Sequence, residues 1–307
     1  LSEDYKRIIL RDNGDFQSVS VWGGEENVPA VYGKVFLSIK PVNGFTISSQ
    51  RKTDIRTQLK KYNVLSIDPE FVDASFLYIQ PTVTVRYNSK ATTLSAVAVQ
   101  TKVTNAIVNF ENTKLGTFDS NRFRYSQFIQ TIDAADTSIV SNLTLITIEK
   151  RFIPSLTTSS TYNISFGNVL ENPHAGHKYT ISSSVFTFQN QTCYFDDDGN
   201  GNIRIYYLLN STRVYLSETA GTVDYLTGIV TLTSFLPTAF VGSSLSVFAN
   251  PKNNDVDAVR NQILLIAGAT VSVIDDTTTI LAANTVTATT TGVTTENSGS
   301  NISPSVY

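Results

Sequence analysis

The chain has 307 residues, 41% of them hydrophobic, and its 23 Lys and Arg nearly balance 26 Asp and Glu, for a formal net charge of −3. This length predicts two or three domains, and the lack of a basic block argues against nucleic acid or an anionic membrane as a partner. The longest apolar stretch, Ile263 to Ile274, is shorter than the roughly 20 residues that span a bilayer, and the single Cys193 excludes an internal disulfide.

The first part of the chain predicts a strand and then a helix. Charged residues throughout Leu1 to Arg11 argue against a secretory signal. Alternation of apolar and polar residues over 34–40 predicts a strand with one buried face. A helix should follow from Thr53, its candidate N-cap, to Tyr62. The side chains expected to face the core are Val35, Leu37 and Ile39 on the strand and Ile55 and Leu59 on the helix.

Alternation returns at Leu77 to Val85, where Pro81 predicts a sheet edge or a bulge. Helical spacing of apolar residues predicts helices over Leu94 to Phe110 and Arg122 to Ala134. A strand from Leu143 to Ile153 completes this first segment. Strands with helices covering one face predict an α+β domain over residues 1–155.

After residue 155 the sequence changes to short runs rich in Tyr, Phe, Val and Thr, separated by turn residues such as Gly221 and Gly228. The predicted strands are Thr180 to Phe188, Asn202 to Leu209, Val214 to Leu216, Thr222 to Tyr225, Ile229 to Leu232 and Leu245 to Phe248. Short strands at this spacing predict an all-β, sandwich or barrel-like domain over residues 156–250.

Residues 251–307 form the third predicted segment. Apolar residues at 256, 259, 263 and 266 predict a short helix capped by Asn254 or Asp255, and Thr270 to Ile280 predicts a strand. The Ser/Thr-rich tail over 283–307 has too few apolar residues to form a core alone. The predicted fold class is therefore α+β: an N-terminal α/β sandwich-like domain, an all-β domain and a short C-terminal β or extended segment.

The sharpest local motif is DDDGNG, from Asp196 to Gly201, which matches the first half of an EF-hand loop. The twelfth position, however, is Tyr207, where a bidentate Glu should bind Ca²⁺, and the flanking residues predict strands instead of helices. The motif therefore favours a polar hairpin turn over a calcium site.

No other group of residues predicts an enzyme active site, a cofactor or a metal. His174 and His177 could offer two imidazoles to zinc or a base to a serine, but no Cys lies near them in the sequence and no Gly-x-Ser-x-Gly elbow is present. The glycines at 23 and 24 lack the rest of a phosphate-binding motif and favour a tight turn after a strand. Trp22 before them is a core residue or an interface anchor, and the core is favoured.

Two runs in the first segment carry a family resemblance. They are QSVSVWGGEEN, from Gln17 to Asn27, and YGKVFLSIKP, from Tyr32 to Pro41. With GTVDYLTG, from Gly221 to Gly228, and other pieces across most of residues 1–280, they resemble the C-terminal portion of baseplate wedge proteins of contractile-tailed bacteriophages. This is the T-even-type gene product six family, which is related to the baseplate J-like family.

The resemblance implies a structural protein of the virion tail baseplate, assembled in the host cytoplasm. Such a protein would form a homodimer, contact other wedge proteins and join wedges into a ring around the tail hub, without catalytic residues. Within the resembling runs, Trp22, Glu25 and Tyr32 are the candidate interface residues. The alternative is a glycan-binding adhesin module whose aromatic side chains stack on sugars, and a hydrolase is the least favoured class.

Overall fold

Helices lie in the first half of the chain and strands run throughout it. The computed structural model describes residues 2–27, 29–62, 68–173 and 179–276. The helices are α1 (Ser2–Asp12), α2 (Ser49–Lys60), α3 (Ala96–Lys114) and α4 (Tyr125–Asp133). The strands of the first half are β1 (Phe16–Gly23), β2 (Lys34–Pro41), β3 (Asp68–Phe71), β4 (Ser75–Tyr87), β5 (Arg122–Phe123) and β6 (Ile139–Phe152). This mixture confirms the α+β class.

The second half of the chain is built from strands in its described residues. These are β7 (Ser160–Ser165), β8 (Ile181–Ser183), β9 (Phe186–Phe188), β10 (Gln191–Asp197), β11 (Asn202–Leu209), β12 (Thr212–Asp224), β13 (Ile229–Phe235), β14 (Ala239–Phe240), β15 (Leu245–Ala249), β16 (Val256–Asp257), β17 (Gln262–Ile266) and β18 (Thr270–Asp275). Strands lie at each position predicted between 180 and 250, but the one predicted over Thr180 to Phe188 is divided into β8 and β9. The two predicted on either side of residue 219 form one continuous strand, β12. Ile280 and the tail over 283–307 lie outside the described residues.

A small sheet of β1, β2 and β3 packs against α1 and α2. Strand β1 is antiparallel to β2, and β3 is parallel to β2. The core of this unit contains Tyr5, Ile9, Val19, Leu37, Ile39, Ile55 and Leu59. The predicted strand over 34–40 is confirmed, but both of its faces are covered, because Phe36 and Ser38 are also buried. Helix α1 was not predicted, since its charged residues hid the apolar side that carries Tyr5 and Ile9.

Helix α2 begins four residues before the predicted Thr53. Ser48 is its N-cap, and the Ser48 hydroxyl accepts a hydrogen bond from the Arg51 backbone N–H. Thr53 lies one turn inside the helix, where its hydroxyl donates to the Ser49 carbonyl at 3.1 Å. The cap prediction was wrong because Ser48 and Thr53 both suit an N-cap, and only the position of the turn before the helix selects one of them.

The large sheet follows the order β17-β4-β6-β15-β8-β10-β11-β12-β13-β7, with β18 also paired to β4. Helices α3 and α4 pack on one face of its β18-β4-β6 part. One cluster of buried side chains extends from Leu77 to Val271. Strand β6 lies in the first predicted domain and pairs with β15 of the second, so the sheet is continuous across residue 155. The predicted domain limits at residues 155 and 250 stay predictions.

Pro81 lies in the interior of β4, where the sequence predicted a sheet edge or a bulge. It pairs with Ile146 of β6 without a register shift, so it does not mark a bulge. On the other side of β4, β17 pairs as far as Ile79 and β18 begins at Thr82, both parallel to β4. Pro81 therefore lies at a local edge between two short neighbouring strands, where a residue without an N–H is tolerated.

The helix predicted over 256–266 is absent, because these residues form β16 and β17. Val256 pairs with Phe123 of β5, and β17 pairs in parallel with the start of β4. Ile263 and Leu264 are adjacent and both fully buried, so β17 is covered on both faces. A strand covered on both faces loses its alternation, and its apolar spacing then resembles that of a helix.

Polar contacts join the small sheet to the rest of the molecule. Lys6 forms an ion pair with Asp119 at 2.5 Å, and the buried Ser18 hydroxyl accepts a hydrogen bond from the Phe118 backbone N–H at 3.1 Å. The Ser20 hydroxyl donates to the Arg260 carbonyl at 2.9 Å. The small sheet is thus tied to two separate loops of the larger part.

Candidate interaction site

One face of the β18-β4-β6 part of the large sheet is open to solvent. On this face Thr84 pairs with Leu143 and Thr82 with Leu145, and the same two threonines pair with Ser272 and Thr270 on the other side. Leu143 and Leu145 are 63% and 61% exposed. We call this surface the open sheet face, defined by Thr82, Thr84, Leu143, Leu145, Ser272 and Ile274.

The opposite face of the same strands is closed by the helices. Val83 and Val85 of β4 are fully buried, and so are Val99 and Val103 of α3. Alternation along β4 therefore directs valines to the core and threonines to the open sheet face. Two large leucines on the solvent side of β6 break that pattern, at a stretch where β6 pairs with β4 and has no ladder to β15. This makes the surface suited to contact with another apolar surface.

Glu149 lies on the same side of β6 as the leucines but is only 2% exposed. Its carboxylate accepts hydrogen bonds from Gln80 at 2.6 Å, from Ser246 at 2.6 Å and from two nitrogens of Arg151 at 2.6 and 3.0 Å. Arg151 also stacks over the ring of Tyr78 at 3.9 Å. Burial raises the pKa of Glu149, but these hydrogen bonds outweigh burial and leave the pKa below its usual value.

Lys150 is the next residue on β6 and points to the core side. It is 7% exposed, and its ammonium donates to the Ser75 hydroxyl at 2.6 Å. Burial lowers its pKa to about 8. Lys150 lines a cleft of about 380 Å³ that lies between β6, β7 and the residues leading into β17. Sequence reasoning missed both residues, although a charged triplet within a predicted strand, Glu149 to Arg151, was a visible signal.

The three candidate interface residues lie in different environments. Trp22 is buried, stacks on Phe36 with ring centroids 5.7 Å apart, and donates its indole N–H to Asn27 at 2.9 Å. Glu25 is exposed, and Tyr32 is 82% exposed. The side chains of Tyr32 and Glu25 are therefore exposed on the surface of the small sheet. Trp22 is buried and contacts the turn between them through its hydrogen bond to Asn27.

Close packing explains why position 24, in the run from Gln17 to Asn27, is occupied by glycine. The Gly24 carbonyl accepts hydrogen bonds from the backbone N–H groups of Asn27 and Val31. A Cβ at position 24 would lie 1.9 Å from the Val31 carbonyl oxygen, so no larger residue fits. This glycine serves a tight turn, as the sequence predicted.

The carboxylates of the DDDGNG motif are engaged within the protein. Asp196 is fully buried and binds Arg204, Arg213 and Tyr215. Asp197 accepts hydrogen bonds from two backbone N–H groups at 2.7 Å and from the Tyr225 hydroxyl at 2.6 Å. The motif connects β10 to β11. This confirms the hairpin prediction. Of the residues at EF-hand ligand positions, Asp196 is bound as described, and Asp198 accepts hydrogen bonds from the backbone N–H groups of Asn200 and Asn202 at 2.8 and 2.9 Å.

Arginine guanidinium groups each cover one ring face of three tyrosines around β11 and β12. Arg204 stacks over Tyr215 at 4.3 Å, and Arg213 lies over Tyr179 at 3.9 Å and over Tyr206 at 4.4 Å. A stacked guanidinium occupies the surface that a pyranose ring would use. The geometry of this cluster does not favour the glycan-binding alternative.

Other predicted chemistry finds no further support in the structure. His174 and His177 lie outside the described residues. Within the described part of the chain, no three His, Cys, Asp or Glu side chains are grouped as a metal site. None of the helices in the described ranges combines the length and apolar composition needed to cross a bilayer.

Two family models match the first half of the chain. Residues 2–72 match the model described as baseplate structural protein gp6, C-terminal domain I, and residues 75–151 match C-terminal domain III of the same protein. The first match covers the small sheet with α1 and α2. The second match begins at the start of β4 and ends within β6.

A curated relative agrees with the family models. The baseplate wedge protein gp6 of Enterobacteria phage T4 is 23% identical over 163 residues, which cover 51% of this chain and 22% of that protein. The aligned part is thus about a fifth of the relative's length. These matches confirm the resemblance to the C-terminal portion of gp6, and they support a structural role in the tail baseplate of the virion.

Proposed function

We propose that this chain is a non-enzymatic subunit of a phage tail baseplate wedge, which associates with itself and joins neighbouring wedges into the ring around the hub. The observation that carries the proposal is the open sheet face with its exposed Leu143 and Leu145. The similarity to baseplate structural proteins supports a tail baseplate as the assembly in which this face would form a contact. Its mechanism is binding between subunits.

The open sheet face has the composition of a contact between two copies. Its leucine pair lies on β6 beside the threonines of β4 and Ser272 of β18, and the ion pair of Arg86 and Asp276 at 3.4 Å lies at one end of the face. Exposed apolar side chains bordered by polar and charged groups are typical of protein interfaces. Two such faces packed across a two-fold axis would bury the leucines of both copies.

A ring needs a second surface, because a two-fold contact by itself closes a dimer. Tyr32 and Glu25 on the small sheet are the candidates for that surface. Tyr32 is a large, almost fully exposed aromatic side chain, the residue type enriched at the centre of interfaces. Trp22 would contribute by holding the turn, since it is buried within the chain. Other baseplate wedge proteins are the proposed partners of this surface.

Sedimentation velocity of the full chain at tens of micromolar tests the self-association. We expect the wild type to sediment as a dimer and a variant carrying Leu143→Ser and Leu145→Ser to dissociate at least about tenfold more readily, because the exposed leucine pair is lost. Leu226→Ser is the matched control: it removes a 77% exposed leucine from the turn between β12 and β13 and should leave the dimer intact.

A wild-type chain that remains monomeric at these concentrations would contradict the proposed self-association. Dissociation of the control to the same extent would instead refute the assignment to the open sheet face. Tyr32→Ala should leave the dimer and the fold unchanged and reduce only the formation of larger species. Circular dichroism and thermal melting of each variant separate lost contact from lost folding.

A further inference from the structure

The cleft beside Lys150 lies at one end of the large core. Ser75 and Gln262, which pair with each other across β4 and β17, form its floor with Lys150. Phe152 of β6 and Ile164 of β7 supply apolar walls. With a volume of about 380 Å³, the cleft is large enough for an amino-acid side chain and is open to solvent.

The electrostatics of this cleft are unbalanced. Lys150 forms no ion pair with any carboxylate in the described residues, and its ammonium has one neutral partner, Ser75. The other charged residue that lines the cleft is Arg151, which is also basic and whose guanidinium is bound to Glu149. The cleft therefore contains a buried positive charge without an acid.

A buried cation is costly unless a negative charge compensates it. Two responses are open to the isolated chain: the ammonium can lose its proton, or an anion can bind from outside. Burial has already moved the pKa of Lys150 down to about 8, and at neutral pH most of the population still carries the charge. The positive charge that remains on Lys150 would attract an anion into the cleft.

The walls indicate which anion fits. Phe152 and Val259 line the cleft with apolar residues, together with the neutral polar residues Asn163, Asn261 and Gln262. Methylene groups ending in a carboxylate match this combination of apolar walls and a cationic floor, whereas a compact inorganic ion would leave the apolar walls unused. A glutamate side chain has this chemistry.

We propose that the Lys150 cleft is a socket for an acidic side chain, a glutamate or an aspartate, of a partner polypeptide in the assembly. The inference rests on the proposed function for the presence of a partner, and it specifies the chemistry that the partner must bring. In the bound state Lys150 Nζ would donate to the partner's carboxylate, and the charge that is unpaired in the free chain would become paired.

Nuclear magnetic resonance of the labelled full chain tests the socket without a second protein. The Lys150 ¹⁵Nζ and ¹³Cε signals, assigned with Lys150→Arg, would be followed while N-acetyl-glutamate amide is added. We expect a saturable shift of these signals and a rise of the Lys150 pKa by about one unit, because an opposite charge favours the ammonium form. The exposed Lys252 is the internal control and should not respond.

N-acetyl-glutamine amide has nearly the same shape without the charge and should have no effect. The socket is refuted if glutamate amide leaves the Lys150 signals unmoved, or if glutamine amide or inorganic phosphate moves them equally. These signals are read from the wild-type chain, so the outcome does not depend on the folding of a variant. Failure here with a dimer in sedimentation would reject the socket alone, while a monomer with a responsive Lys150 would reject the self-association alone.

Discussion

Glu149 and Lys150 are consecutive residues of β6, both are buried, and they carry opposite charges. They lie on opposite faces of the strand and differ in the number of hydrogen bonds that their charged groups make. Three side chains donate four hydrogen bonds to Glu149. Lys150 donates to one hydroxyl. Among the described residues, Glu149 finds a full set of donors, whereas the ammonium of Lys150 finds one neutral partner.

The difference distinguishes a structural buried charge from one that is poised for an outside ligand. A buried carboxylate with several donors stays ionised, and the pKa of Glu149 is accordingly lowered despite its burial. A buried ammonium with a single neutral partner gives up its proton more readily, and the pKa of Lys150 falls to about 8. Three predictions separate these two behaviours.

The largest expected effect comes from removing the satisfied charge. Glu149→Ala leaves Gln80, Ser246 and Arg151 without their common acceptor, and we expect the free energy of unfolding to fall by about 4 kcal/mol. Chemical denaturation at pH 7 measures this loss. Glu218→Ala, at an exposed position of β12, is the matched control and should stay within about 0.5 kcal/mol of the wild type.

A loss below about 1 kcal/mol for Glu149→Ala would show that its donors regain water easily and would remove the contrast with Lys150. Arg151→Ala should cost less than Glu149→Ala, because the arginine side chain is 39% exposed and the glutamate that it leaves behind keeps two other donors.

The second effect is a dependence on alkaline pH. The pKa of Lys150 is about 8 in the folded chain and 10.5 ordinarily, so between these values the unfolded chain binds more protons. The contribution of Lys150 to the free energy of unfolding therefore rises with pH across this window, by about 3 kcal/mol. Denaturation at pH 7, 8, 9 and 10 measures it as the difference between the wild type and Lys150→Met, which cancels the titration of other groups. A difference that stays constant with pH would contradict the lowered pKa.

The smallest effect is a stabilisation by removing the unsatisfied charge. Lys150→Met keeps most of the side-chain volume and removes the buried ammonium, so we expect the free energy of unfolding at pH 7 to increase by about 2 kcal/mol, after the loss of the Ser75 hydrogen bond. Thermal melting at pH 7 provides the measurement. Lys252→Met, at an exposed position, should have no such effect, and destabilisation by Lys150→Met would mean that the isolated chain already satisfies this charge.

Local periodicity predicted the elements whose surroundings are regular. The helix that became α3 was predicted from Val99, Val103, Ile107 and Phe110, and all four are buried. The predicted side of α2, with Ile55 and Leu59, is buried as well. Strands β11, β12, β13 and β15 lie between the turn residues that predicted them. The candidate interface was partly accessible from the sequence, because the resembling run pointed to the turn that carries Glu25 and Tyr32.

The open sheet face and the Lys150 cleft were not accessible in this way. Leu143 and Leu145 belong to an apolar run whose alternation is clear, but nothing local tells which side of β6 the helices cover. Lys150 meets Ser75 and Gln262 only because β6 and β17 flank β4, which brings together residues far apart in the chain.

The sequence by itself determined the α+β class, the faces of α2 and α3, the hairpin at the DDDGNG motif and the resemblance to baseplate wedge proteins. Each of these depends on residues that are near one another along the chain. Tertiary structure alone decided that Pro81 falls between two parallel neighbours, that residues 262–266 pair with β4 as a strand, and that Glu149 is satisfied while Lys150 is not. Those outcomes depend on which distant strands become neighbours, and periodicity within one segment carries no information about its partner.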